Sequence, residues 1–233
     1  MAKTIRQQIR DELQLTASAG VAPNKFLAKV ASDWRKPDGL FVIQPSEVTA
    51  FLTSLPVGRI PGVGTVTESR LKEIGATTVG RLQTIDQSLL EQRFGRYGRR
   101  LYELARGIDH IPVIANRPTK SISAEDTLER DVKLAETDGL IHQLAQKVWD
   151  ASSKDARVAR TVVLKLKTSD FTILTRSLTP RVPPQDGKEL ASIALSLRAR
   201  IDTNESLRFR LVGVGLSNFA DAERTCISLF DIE

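Results

Sequence analysis

Apolar positions change their spacing several times along this 233-residue chain, and each change marks an element. Ile5, Ile9 and Leu13 recur every fourth residue, which predicts an amphipathic helix over 3–13. A short strand-like stretch over 16–21 follows, and Pro23 opens a helix with Phe26, Leu27 and Val30 as its apolar positions. The turn signal Lys36-Pro-Asp-Gly39 then leads into a strand over 40–43. One helix between two short strands buries too little surface to stand alone, so residues 1–47 read as the end of a larger β-α-β domain. Residues 48–108 read as about four short helices, with turns at Gly58, Gly62, Gly64, Gly75, Gly80, Gly95, Gly98 and Gly107. Leu101, Leu104, Ala105 and Ile108 form the apolar stripe of the last helix.

Residues 109–119 contain Pro112 and Pro118 and no helical period, the pattern of an extended linker. From 120 to 219 the order is strand (121–127), helix (stripe Ile141, Leu144, Ala145, Val148), strands (159–167 and 171–178), helix and strand (208–217). The second helix follows the cap signal Asp186-x-x-Glu189 and places Leu190, Ile193, Ala194, Leu197 and Ile201 on one face. This β-α-β-β-α-β order predicts one sheet with both helices on a single side. The chain is therefore of α+β class. Along 160–167 the two-residue period sends Val162, Leu164 and Leu166 to one side and Thr161, Val163, Lys165 and Lys167 to the other. Arg210 adds a cation on the last strand. An open basic sheet face can lie along a nucleic-acid backbone, although antiparallel sheets often have a merely solvated face. None of the outward positions is aromatic, which argues against stacking on bases.

Chemistry concentrates in Arg59-Ile-Pro-Gly-Val-Gly-Thr-Val-Thr-Glu-Ser-Arg-Leu-Lys72. Glycines at 62 and 64 let a tight loop turn its N–H groups outward, and the helix that starts near Thr65 adds its positive dipole end. Such a helix-hairpin-helix element holds a backbone phosphate without reading a base. Pro61, Gly62, Val63, Gly64 and Thr65 are its expected DNA contacts. The run Arg93-Phe-Gly-Arg-Tyr-Gly-Arg-Arg100 suggests a second hairpin, contacting phosphate through Gly95, Gly98 and Arg99; a solvated, charged helix start is the plainer alternative. Lys120, Ser121, Lys165, Lys167 and Arg210 complete the expected DNA-contacting set.

Charge agrees with a polyanionic partner. There are 34 Lys and Arg against 28 Asp and Glu, but the excess is uneven. Residues 1–219 carry net +9, whereas the last fourteen, 220–233, carry net −3. A lone cysteine, Cys226, excludes an intramolecular disulfide and a cysteine-based metal site; His110 and His142 have no ligand-spaced partner. No apolar run reaches the ~20 residues that span a bilayer, and the start of the chain lacks an apolar signal core, so no membrane and a cytoplasmic location are expected.

Leu15-Thr-Ala-Ser-Ala-Gly-Val-Ala-Pro-Asn-Lys-Phe-Leu-Ala-Lys-Val-Ala-Ser-Asp-Trp-Arg-Lys-Pro-Asp-Gly39 closely resembles the end of the palm domain in Y-family translesion DNA polymerases, above all bacterial ones. The likeness continues through Leu55-Pro-Val-Gly-Arg-Ile-Pro-Gly-Val-Gly64, similar to that family's thumb. It resumes at Lys120-Ser121 and Arg210-Leu-Val-Gly-Val-Gly-Leu-Ser217, similar to the outer strands of its little-finger domain. The resemblance implies a palm remnant at 1–47, a thumb at 48–108, a linker at 109–119, a little finger at 120–219 and a clamp-binding tail at 220–233. It implies grip on primer–template DNA for damage bypass and repair, by a monomer. The family builds its two-Mg²⁺ site from an N-terminal Asp and a Ser-x-Asp-Glu motif, and neither occurs here. The chain alone is thus expected to hold no metal, to have no catalytic residue and not to polymerise. Glu125-Asp126, the nearest acidic pair, reads as a surface pair. Lys36 matches the family lysine that reaches the incoming nucleotide's triphosphate.

Cys226-Ile-Ser-Leu-Phe230 resembles the bacterial sliding-clamp pentapeptide Gln-Leu-Ser/Asp-Leu-Phe. Leu229 and Phe230 would be its apolar anchors, with Ile227 and Ser228 between them and Cys226, where Cys replaces the amide. A stand-alone, non-enzymatic helix-hairpin-helix DNA-binding protein is the alternative. A helix-hairpin-helix nuclease subunit is disfavoured, because no acid cluster joins a His or Lys.

Overall fold

The computed structural model describes residues 1–202 and 207–221, which form two compact units divided between Ala115 and Asn116. The first unit begins with α1 (Ala2–Leu13), β1 (Ala19–Val21), α2 (Lys25–Trp34) and β2 (Leu40–Val42). It continues with α3 (Val48–Ser54), α4 (Thr65–Glu73), α5 (Val79–Gln83), α6 (Gln87–Phe94) and α7 (Arg96–Ala105). Five α-helices thus follow β2 in this unit, one more than the spacing of the glycines suggests, because Gly95 separates α6 from α7 with no loop between them.

Strands β1 and β2 pair in parallel, with Gly20 opposite Phe41. Asn24 caps α2 by accepting from Leu27 N–H at 3.0 Å, the cap that a short polar residue supplies to an orphan amide. Its Nδ2 also donates to Gly107 O at 2.7 Å, and Phe26 N–H donates to Asp109 at 2.9 Å, so α2 is tied to the segment just past α7. Phe26, Leu27, Val30 and Ala31 bury into one core with Leu52, Leu71, Leu82, Leu90, Leu101 and Leu104. The short β-α-β segment therefore completes its core with the helices behind it.

Two expected stripes come out differently. No residue of α1 is buried: Ile5 and Leu13 are 49% and 61% exposed. The two-stranded sheet does not bury this helix, and Arg6 instead holds it by donating to Ala17 O (2.7 Å) and to Asp38 (2.7 Å). Ile108 lies beyond the end of α7 and is 38% exposed, while Leu101, Leu104 and Ala105 are buried as expected.

The second unit contains β3 (Ser121–Val132), α8 (Asp138–Ser152), β4 (Val158–Thr168), β5 (Ile173–Leu178), α9 (Gly187–Arg198) and β6 (Phe209–Ala220). The sheet order is β3-β6-β4-β5, all antiparallel. Ile141, Leu144, Ala145 and Val148 of α8 and Leu190, Ala194 and Leu197 of α9 pack on Val162, Leu164, Leu166, Val212, Val214 and Leu216. Ala191 rather than Ile193 is fully enclosed on α9, and Ile201 is buried just past the end of the helix. Asp186 caps α9 by accepting from Glu189 N–H at 2.7 Å. Among the described residues, no helix of this unit packs on the opposite face of the sheet.

Candidate nucleic-acid interface

Ile60 and Val63 anchor the loop before α4 by burying their side chains, and Val63 N–H donates to Ile60 O at 3.0 Å to close the turn. The side chain and amide of Val63 are therefore both committed to the fold, and of the five expected loop residues Gly62, Gly64 and Thr65 are the exposed ones. Gly62 sits at φ +94°, a conformation that residues with a Cβ resist. Gly64 is the N-cap of α4 and has no side chain with which to cap it. The first i→i−4 bond of α4 runs from Glu68 N–H to Gly64 O at 2.8 Å. The amides of Thr65, Val66 and Thr67 thus precede the intrahelical ladder and point out of the helix start. Three other helices bond one such amide with a side chain, Asn24 for α2, Thr78 for α5 and Asp186 for α9, whereas α1, α3, α6, α7 and α8 have no side-chain cap either. At α4 the space where a capping side chain would stand is open, with nothing within 4 Å of a Cβ built at Gly64. Lys29 and Arg59 line a depression of about 280 Å³ beside the loop, together with Asp33.

The second glycine pair behaves differently. Gly95, at φ +60° and ψ −143°, joins α6 directly to α7. Gly98 is buried, and a Cβ built there would lie 2.0 Å from Leu90 O. Gly98 is thus required by the close crossing of α6 and α7 and presents nothing to a phosphate, a correction to its expected contact role. Arg93, Arg96 and Arg99 stand exposed around this start, and Arg99 pairs only loosely with Glu103 at 3.4 Å. Tyr97 places its hydroxyl 3.5 Å from Pro61 O and directly beside Gly62, so the two glycine turns are neighbours. Burial raises the Tyr97 pKa above its ordinary value, and the phenol remains a neutral donor. Arg70 of α4 stacks over Phe94 at 5.0 Å and donates to Arg93 O, a second link between the turns. Neither Tyr97 nor Arg70 carries a sequence signal for this role, since each acts on a residue more than twenty positions away.

Lys36 is largely exposed and ion-paired with Asp33, whose carboxyl it holds below the usual range. The turn that follows it is fixed by Asp38, which receives both Arg6 and Arg10. Asp38 lies below the usual carboxylate pKa range chiefly because of the Arg6 hydrogen bond.

On the open face of the second unit, Lys165 and Lys167 of β4 project beside Thr161 and Val163, opposite Gly213, Leu211, Ser217 and Gly215 of β6. Ser121 pairs with Ser217 at the end of β3, and Lys120 is exposed just before it. Lys165 is not a free cation: its Nζ donates to both carboxylate oxygens of Glu125, at 2.8 and 2.9 Å. Asp126 pairs opposite Val212 on the helix-covered side, so Glu125 and Asp126 point to opposite faces and cannot act together. Phe171, which is not one of the outward strand positions, adds an aromatic ring beside this face. It sits in the turn before β5, at φ +69° and 59% exposed, with Arg210 at 4.1 Å and Lys167 at 4.6 Å from its ring. A run that reads as the start of a strand became a turn because the Asp170 carboxylate accepts from Thr168 and Thr172.

Among the described residues, no three His, Cys, Asp or Glu gather into a group able to hold a metal ion. Among the same residues no helix is long and apolar enough to cross a membrane. Residues 226–230 lie outside the described residues.

Three family models match the chain: the impB/mucB/samB family over residues 1–33, the DNA polymerase-iota thumb domain over 58–109, and the impB/mucB/samB family C-terminal domain over 119–229. Among curated relatives, DNA polymerase IV of Stenotrophomonas maltophilia (strain R551-3) is 57% identical over 96% of this chain and 63% of its own length. DNA polymerase IV of Xanthomonas campestris is 54% identical, over 96% and 62%. That of Neisseria meningitidis is 47% identical, over 94% and 62%. The chain thus spans a little over three fifths of the length of these relatives. Of solved structures, a Y-family DNA polymerase chimera of Dbh and Dpo4 is similar at TM-score 0.75 and 27% identity, over 94% of this chain and 63% of that one. An insertion ternary complex of Dbh DNA polymerase is similar at TM-score 0.57 and 26% identity, with the same coverage. The fold, the matched thumb and C-terminal domains and the identity to these relatives agree: the chain belongs to the Y family of DNA polymerases, as a C-terminal portion of the DNA polymerase IV type.

Proposed function

We propose that this chain is the DNA-gripping part of a translesion polymerase, holding primer–template DNA by its backbone while bases are left unread. The observation that carries the reading is the start of α4, where Gly64 leaves three consecutive amides without a side-chain cap beside Arg59 and Lys29. Residues 1–47 serve as the end of the palm, 48–108 as the thumb and 120–219 as the little finger, with a linker at 109–119. The unit break after Ala115 supports that division. In this reading Gly62, Gly64 and Thr65 hold one phosphate, Gly95 and Arg99 a second, and Lys120, Ser121, Lys167 and Arg210 a third stretch of backbone. Lys36 would lie toward the nucleotide triphosphate. Mg²⁺ belongs to the chemistry of the complete enzyme, which needs carboxylates that the described residues do not assemble. Cys226–Phe230 docks a monomer on the sliding clamp in the cytoplasm, weakly, since Cys226 lacks the amide of Gln.

The test is a titration of the full chain against labelled duplex and primer–template DNA at several salt concentrations. Affinity should be independent of sequence and should fall steeply with salt, by a slope of about 0.9 per phosphate neutralised. A salt-independent affinity, or one that follows base sequence, overturns the reading.

A further inference from the structure

The open sheet face holds one acidic group where a phosphate-binding surface would exclude it. Among the open-face positions paired in the sheet, Ser121, Ser123, Thr127, Thr161, Thr175 and Ser177 are hydroxylic, and Lys165 and Lys167 are cationic. Glu125 is the one acid of that set. It lies on β3, and its partner Lys165 lies on β4, two strands away because β6 runs between them. Two strand spacings are about 9.5 Å, too far for adjacent-strand pairing and reachable only if nothing stands on the strand between.

The residue in between is Gly213, paired with Glu125 on one side and Lys165 on the other. A Cβ at Gly213 would come 2.8 Å from Glu125 Cγ, so the bridge depends on the bare backbone beneath it. Gly215, the next open-face residue of β6, keeps the floor bare as well, and together they bottom a groove of about 200 Å³. Both partners are accessible to solvent, with side-chain exposures of 34% for Lys165 and 37% for Glu125. An accessible ion pair of this kind contributes little to stability, roughly 0–1 kcal/mol, so folding alone gives it little purpose.

We propose that Glu125 is a built-in phosphate mimic: its carboxylate occupies on Lys165 the place of a DNA backbone phosphate and must be displaced when DNA settles on the glycine floor. The proposal rests on the open face being a DNA-binding face. A two-oxygen carboxylate and a two-oxygen phosphodiester present the same acceptor geometry to an ammonium. Exchanging one for the other leaves Lys165 paired in both states, so its net contribution to affinity is small. The consequence is a weakened grip at the centre of the face. Binding then depends more on Lys167, Arg210 and Lys120 at its margins.

Fluorescence-anisotropy titrations of the full chain with duplex DNA, over a series of salt concentrations, separate the possibilities. Glu125→Gln, nearly isosteric and on an exposed strand position, should tighten binding 3- to 10-fold and steepen the salt slope by about 0.9, one added phosphate. Lys165→Met alone should change affinity less than 2-fold, because that lysine is already neutralised, yet in the Glu125→Gln background it should remove the whole gain. Melting curves check that all variants fold. If Lys167→Met with Arg210→Met weakens binding while Glu125→Gln changes neither affinity nor slope, the mimic is overturned and the DNA-binding face stands. If none of these substitutions changes binding, the face itself is not where DNA sits, and both ideas fall.

Discussion

Gly62-Val-Gly64 and Gly95-Arg-Tyr-Gly98 look alike on paper: each is a glycine pair set among arginines at the start of a helix. In the folded unit they are governed by different physics. A Cβ at Gly64 meets nothing within 4 Å, and its backbone is ordinary extended chain at φ −89° and ψ 179°. Nothing internal demands glycine there, and the space in front of the amides is open. At Gly98 the reverse holds, with Leu90 O at 2.0 Å from a Cβ. One glycine keeps a surface open; the other lets two helices touch.

The largest way to break that comparison is Gly98→Ala. Two backbones must separate, so the first unit should lose ~3 kcal/mol, at the upper end for overpacking, seen as a large drop in its melting temperature. A variant with an unchanged melt would show that the α6–α7 crossing is slack. Gly95→Ala comes next. Its backbone lies near a region that only glycine occupies easily, so strain of ~1–2 kcal/mol is expected although the space around it is empty. Chemical denaturation reads both losses on one scale.

Gly64→Asp sharpens the contrast by moving two properties in opposite directions. The carboxylate can cap α4 and favour its positive end, raising stability by a few tenths of a kcal/mol. The same carboxylate stands where a phosphate would bind, so DNA affinity should fall about tenfold, ~1.4 kcal/mol. A melt and an anisotropy titration on one preparation suffice. Unchanged DNA affinity in a stabilised variant would remove the first hairpin from the interface.

The smallest effect lies in the second unit, where no glycine is involved. Arg157 hydrogen-bonds the Asp155 carboxyl and holds its pKa down at about 2. Because the folded value lies below the ordinary one near 4, the stabilisation is fully present above about pH 4 and is lost as pH falls toward 2. Wild type should therefore lose melting temperature between pH 4 and pH 2 slightly faster than Asp155→Asn does. Equal slopes would mean that the pair is no stronger in the fold than in the unfolded chain.

Sequence alone determined whatever depends on near neighbours. The alternating three- and four-residue spacing of Ile141, Leu144, Ala145 and Val148 (i, i+3, i+4, i+7) places a buried stripe on α8, and the cap residues Asn24 and Asp186 mark where helices begin. The alternation along Val162–Lys167 separates the covered face of the sheet from the open one. The Pro-Gly-Val-Gly turn is legible for the same reason, since backbone freedom belongs to the residue itself. Tertiary structure decided everything that depends on which distant residue stands opposite. A period tells that α1 has an apolar side, but not that Ile5 and Leu13 find nothing to cover them in this unit. Gly98 became a contact point because α6 folds back on α7, and Tyr97 reached Pro61 across 36 positions. Glu125 met Lys165 because β6, the last of the described strands, inserts between β3 and β4 and brings Gly213 beneath them. Strand order is set by the global burial of the sheet, and no local spacing encodes it.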